Sequence, residues 1–137
     1  MSWADSLIKL SAYEVEVLQK RLSEIADRRA EAEQRLAALA AEGESERERA
    51  RLDAEAGWYL AGFAEGLKLR RAAILAELER IRLEEEGARD ALAQAFEEQK
   101  KYEHVAEAAR LALAKEQARR DAAALDELGL RRAAGGR

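Results

Sequence analysis

The sequence predicts an all-α chain, with two long helices forming an antiparallel coiled-coil hairpin in which the second helix is the longer. Three observations predict it. Charged residues make up 38% of the 137 positions, aromatics only 5%, and proline is absent. Ala, Glu, Leu and Arg dominate, and these are strong helix formers. Two apolar series also run along the chain at alternating steps of three and four, the heptad seam of a coiled coil. Between them lies an interval in which the seam fades and glycines and aromatics collect.

The first series is Ile8, Ser11, Val15, Leu18, Leu22, Ile25, Arg29, Ala32, Leu36 and Leu39, with only Ser11 and Arg29 polar. It predicts a helix over about 4–52, with Ser2 or Asp5 placed to cap its start. Beyond Leu39 the series weakens through Gly43, Glu46 and Ala50. The connection is expected at about 53–58, where Asp53 suits a cap of the next helix and Gly57 a turn. The second series runs Leu67, Arg71, Ile74, Leu78, Ile81, Glu85, Ala88, Leu92, Ala95, Gln99, Tyr102, Ala106, Ala109 and Leu113. It predicts a helix over about 57–129, so that residues 1–130 form one hairpin domain and 131–137 a flexible basic tail.

A turn near residue 55 makes the numbers of facing residues add to about 110. Large then faces small, as with Ala32 and Leu78, or Leu22 and Ala88. Arg29 and Glu85 are polar breaks in the two seams, about one turn apart in this register, and form a candidate ion pair that fixes the alignment. Glu-first pairs four apart, such as Glu24–Arg28, Glu31–Arg35, Glu85–Arg89 and Glu116–Arg120, support the helices from outside. The second helix outruns the first. Its last turns, with Ala106, Ala109, Leu111, Leu113, Leu125, Leu128 and Leu130, are expected to lack a partner within the hairpin.

Several function classes find no support. A net charge of −4 spread over both signs is not the basic footprint of nucleic-acid binding. Without Cys there is no disulfide frame and no thiolate metal site. The lone His104 with Glu107 offers too few ligands for zinc, so no metal and no cofactor is expected. No nucleophile–base constellation and no Gly-rich phosphate loop is present, so the chain is not read as an enzyme. No apolar run reaches the roughly 18–20 residues of a membrane span, and no secretory signal opens the chain. A cytoplasmic, monomeric protein is the expectation. The acidic run Glu84, Glu85, Glu86 and the basic stretch from Lys68 to Arg82 read as solvated coiled-coil faces.

Trp58, Tyr59 and Phe63, followed by Leu67, crowd the expected hairpin tip. Aromatics are costly to leave wet, so they either plug the turn or present a docking patch. Trp3 and Tyr13, near Tyr102 in the same register, read as packing residues.

Four stretches, in order, resemble one family. They are "SLIKLSAYEVEVLQKRL", "GWYLAGFAEGLKLRRAAI", "EEQKKYEHVAEAARLALAKEQ" and "ALDELGLRRA". The chain resembles the FliJ family, the stalk of the bacterial flagellar type III export ATPase. The resemblance implies a two-helix coiled coil similar to the central stalk of rotary ATP synthases, with no activity of its own. It implies three partners in protein export for flagellum assembly and motility: a hexameric export ATPase, the cytoplasmic domain of the export gate, and export chaperones. The expected place is peripheral, at the inner-membrane base of the flagellum. Carried over, Trp58, Tyr59, Phe63 and Leu67 form the gate-facing patch. Ala106, Leu113, Leu125, Leu128, Arg131 and Arg132 belong to the ATPase-facing end. The residues alone leave other readings open. A generic coiled-coil scaffold or homo-oligomer predicts a dimeric mass, and an adaptor for membrane surfaces or nucleic acid predicts binding that weakens steeply with salt.

Overall fold

A helix with one apolar stripe hides it most completely by lying along a second such helix. The computed structural model describes residues 3–53 and 56–135, the side chains of 56 and 57 excepted. It is all-α, in the order α1 (Trp3–Leu52), a single 3₁₀ turn (Ala56–Tyr59) and α2 (Leu60–Gly135). The two helices pack as an antiparallel hairpin, and α2 is the longer. Asp5 sits in the first turn of α1, where a carboxylate meets the positive end of the helix dipole. Ser2, the other candidate cap, lies outside the described residues. At the far end of α1 the Asp53 N–H donates to the Arg49 carbonyl at 3.0 Å. Helix α2 remains helical through 131–135.

The chain divides into two compact units, one of Met1–Glu14 with Ala95–Arg137 and one of Val15–Gln94. The second holds the best-packed core. Ile25, Ala32, Ile81 and Ala88 are buried together, with Leu22 and Leu78 packed against them. Ile81 is 1% exposed and Ala32 is fully covered. Alanines facing isoleucines let the helix axes approach without voids. In the other unit, Ala4, Ser11 and Ala95 are buried. Ser11 is tolerated at a seam position because its Oγ donates to the Ile8 carbonyl at 2.9 Å, which leaves no bare polar group inside.

Charged side chains flank the seam of Val15–Gln94. Arg28 Nη1 lies 2.6 Å from Glu84 Oε2, Arg35 Nη2 2.7 Å from Glu77 Oε1, and Arg70 Nη2 3.3 Å from Glu42 Oε1. Arg28 and Arg35 thus bridge the two helices, in place of the pairs with Glu24 and Glu31 along α1 that the spacing suggested. The facing carboxylates of α2 accept directly from the two guanidiniums. In all three bridges the residue numbers add to 112, a little beyond the expected register. The connection between α1 and α2 is centred on residue 56, which accounts for the difference.

These bridges set an acid limit on the hairpin. The Arg35 guanidinium, by hydrogen bonding above all, holds the Glu77 carboxyl below its ordinary range, and Arg28 does the same for Glu84. A carboxylate whose folded pKa is depressed stabilises the fold above its unfolded pKa and loses that contribution as pH falls through the folded value. Hairpin stability is therefore expected to hold from neutral pH down to the ordinary glutamate range, near 4.3, and to fall below it. Urea midpoints across pH check this. In the variant carrying both Glu77→Gln and Glu84→Gln, part of the acid-dependent decline should vanish.

Candidate partner-binding surfaces

The turn end of Val15–Gln94 is built from the 3₁₀ turn and the first turns of α2. Tyr59 is half-buried, and its Oη donates to Glu46 Oε2 at 3.3 Å. Glu46 is also paired to Arg49, with Arg49 Nη1 3.3 Å from Glu46 Oε1. This explains why a glutamate is accepted where the seam of α1 weakens: Arg49 neutralises it, Tyr59 donates to it, and it stays half-covered. Gly43 is buried and Ala50 half-buried, so the seam runs on past Leu39 with smaller residues.

Trp58 behaves differently from its neighbours. It is 83% exposed and meets Tyr59 only edge to face, with ring centroids 6.1 Å apart. Phe63 and Leu67 are half-buried. They line a groove of about 760 Å³ together with Leu36, Leu39, Gly43 and Leu60. Of the four predicted tip residues, the structure thus brings Phe63 and Leu67 into one groove, folds Tyr59 onto α1 and leaves Trp58 open. Gly43 is placed by close approach, since a Cβ there would lie 3.0 Å from Leu67 Cδ1. The α1 wall, Leu36 through Gly43, is absent from the patch expected from sequence. The signal for it was present in the small residues Ala37, Ala40 and Gly43, three apart, beside the seam leucines.

The predicted terminal-end residues lie in the other unit. Ala106 is half-buried, while Leu113, Leu125 and Leu128 are exposed, Leu113 to 73%. Leu111 and Leu130 are exposed as well. Arg131 Nη2 pairs with Glu127 Oε1 at 3.0 Å, and Arg132 is exposed. Among the described residues, the last turns of α2 therefore present leucines that nothing in the chain covers. Trp3 and Tyr13, expected to pack, are both exposed instead. Tyr13 falls between the buried positions Ser11 and Val15, and Trp3 lies just ahead of the buried Ala4, so the seam turns both rings outward.

Arg29 and Glu85 meet. Arg29 Nη1 lies 2.7 Å from Glu85 Oε2, and Arg89 holds the other oxygen of the same carboxylate. Glu85 is 7% exposed, the deepest carboxylate described, and two guanidiniums satisfy it there. Among the described residues no cluster of His, Cys, Asp or Glu has the makings of a metal site. No described helix is long and apolar enough to cross a membrane.

No protein-family model matches the chain, and no solved structure matches it. Two curated relatives do. Each is described as a flagellar FliJ protein, from Caulobacter vibrioides strains NA1000 / CB15N and ATCC 19089 / CIP 103742 / CB 15. Each is 55% identical over 136 residues, covering 98% of this chain and 98% of the relative.

Proposed function

The chain belongs to the FliJ family of flagellar proteins, and from this we propose that it is a non-enzymatic coiled-coil stalk of the flagellar type III export apparatus. Its terminal end binds the hexameric export ATPase, and its turn end binds the export gate and export chaperones. The protein works in the cytoplasm, as a monomer, at the inner-membrane base of the flagellum. The observation that carries the reading is the near full-length similarity to flagellar relatives, joined to two uncovered apolar surfaces. One is the groove at Phe63 and Leu67; the other is the row of leucines closing α2. Apolar surface of this kind on a helix seeks a partner.

The mechanism is mechanical. A helical stalk lacks the symmetry of a ring, so it touches each subunit differently. Only such differential contact biases subunit conformations, and through it the stalk couples the ATPase cycle to the gate. The register pair Arg29–Glu85 keeps the two strands of the stalk from sliding while it is loaded.

Capture experiments with purified ATPase and purified gate domain test the reading. Leu113→Asp places a charge in the terminal surface and is expected to weaken ATPase capture about tenfold or more while sparing the gate. Phe63→Ala is expected to do the opposite. The reverse pattern overturns the assignment of ends, and failure of the wild-type chain to capture either partner overturns the reading as a whole.

A further inference from the structure

The two helices of the unit Val15–Gln94 have different backs. Two residues beyond each seam position of α1, from Leu18 to Leu36, stand Lys20, Glu24, Asp27, Glu31, Gln34 and Ala38. That is the polar face of a helix that meets water on its outer side. Two residues beyond each seam position of α2, from Leu67 to Glu85, stand Leu69, Ala73, Ala76, Arg80, Leu83 and Gly87. All six are exposed, Leu69 to 65% and Leu83 to 55%. They keep the alternating steps of four and three, so they form a second stripe on the side of α2 turned away from α1. At the next two such positions, Asp90 and Gln94, the stripe ends. Gly87 weakens the helix relative to alanine, and a Cβ there would meet only open space. Arg80 is the one charge in the stripe. Arg82, close by, holds Glu79 and Glu86, whereas among the described residues no carboxylate pairs with Arg80.

We propose that this stripe packs against the same stripe of a second copy of the chain, antiparallel and about a two-fold axis. Facing positions then add to 156. Leu69 meets Gly87 of the second copy, Leu83 meets its Ala73, and Arg80 crosses its Ala76, with each contact repeated by the axis. Each leucine thus finds a small residue opposite, the arrangement that lets two helices close without voids. The charges agree. Past Ala76, Arg80 comes to lie between Glu77 and Glu79 of the second copy, carboxylates that stay partly open beside their own arginines. The two Glu79 side chains that approach across the axis are therefore neutralised instead of opposed. A parallel pair would set Arg80 on Arg80 and Gly87 on Gly87, so the pattern selects the antiparallel one. No foreign chemistry is needed, since every position of the stripe supplies what the facing one lacks. The contact is short. The pair forms by mass action as the free chain accumulates and gives way to the single stalk on dilution.

Sedimentation equilibrium of the full chain, over a roughly hundredfold range of concentration, tests this. The wild type is expected to pass from one chain to two. Leu83→Glu should weaken pairing about tenfold or more, and Arg80→Glu should do the same by adding carboxylates at the axis. Gly87→Leu separates this pairing from mere stickiness. It adds apolar surface and helix propensity, yet it fills the place of Leu69 and is expected to weaken association. Undiminished helix content by circular dichroism shows that each variant still folds. The chain has no cysteine, so the register can be read directly. Leu69→Cys and Gly87→Cys chains, mixed and oxidised, should give the mixed disulfide far faster than either gives its own dimer. A single chain at every concentration overturns the proposal. So does association that survives Leu83→Glu, tighter association of Gly87→Leu, or Leu69→Cys alone cross-linking as readily as the mixture.

Discussion

Ile81→Ala is expected to lower the unfolding free energy by about 2–5 kcal/mol, the usual cost of emptying a well-packed site. Ile81 is all but unexposed and packs among Ile25, Ala32, Ala88, Leu22 and Leu78. Two of those neighbours are alanines, which have no reach with which to refill the space. Collapse of the site is therefore limited, and the cavity term persists. Urea unfolding followed by circular dichroism measures the loss. The control is Leu113→Ala on the uncovered part of α2, expected to change stability by less than about 0.5 kcal/mol. Equal losses at the two positions would mean that the stripes of α1 and α2 do not bury each other.

The second large effect is expected at Glu85. Its carboxylate lies inside the seam between Arg29 and Arg89. Glu85→Lys puts three cations together at a nearly dry position and is expected to cost about 3 kcal/mol, toward the low end for a buried pair because Arg29 is partly solvated. Adding Arg29→Glu restores an opposite charge across the helices and should return at least about 1 kcal/mol, read as the coupling term of a double-mutant cycle. Glu85→Leu, by contrast, should cost less than Glu85→Lys, since the two guanidiniums it leaves behind are partly solvated and turn to water. The contrast separates alignment from stability. If the charge swap recovers nothing, the pair does not hold the register.

The fold was legible because the stripes obey one rule over many turns. All ten positions assigned to the seam of α1, from Ile8 to Leu39, are buried or half-buried. The rule reads side-chain polarity, however, and misjudges residues whose status depends on a distant contact. Glu46 belongs to the seam because Arg49, one turn on, and Tyr59, beyond the end of α1, satisfy it, and the contact with Tyr59 is one no local spacing reveals. Arg71 sits at the correct spacing and is nonetheless exposed. Arg28 and Arg35 choose between carboxylates on two helices, and only the register decides between them.

The site was legible in part. Phe63 and Leu67 stand out as bulky residues next to a turn, and they do line the groove. Trp58, the largest of that group, stands apart from them, because the 3₁₀ turn alters the angular step between residues and swings its ring away. The wall supplied by α1 was marked only by the spacing of Ala37, Ala40 and Gly43, a faint signal because Gly43 acts through an absent side chain. For the end of α2, sequence and structure agree on leucines that lie open.

The core around Ile25 and Ile81 is only one side chain thick at each level, so each level leans chiefly on the ones directly above and below. Damage or novelty introduced at one level stays there. A lineage can accordingly rewrite the residues around the turn to suit a changing neighbour while the middle of the zipper continues to define the fold.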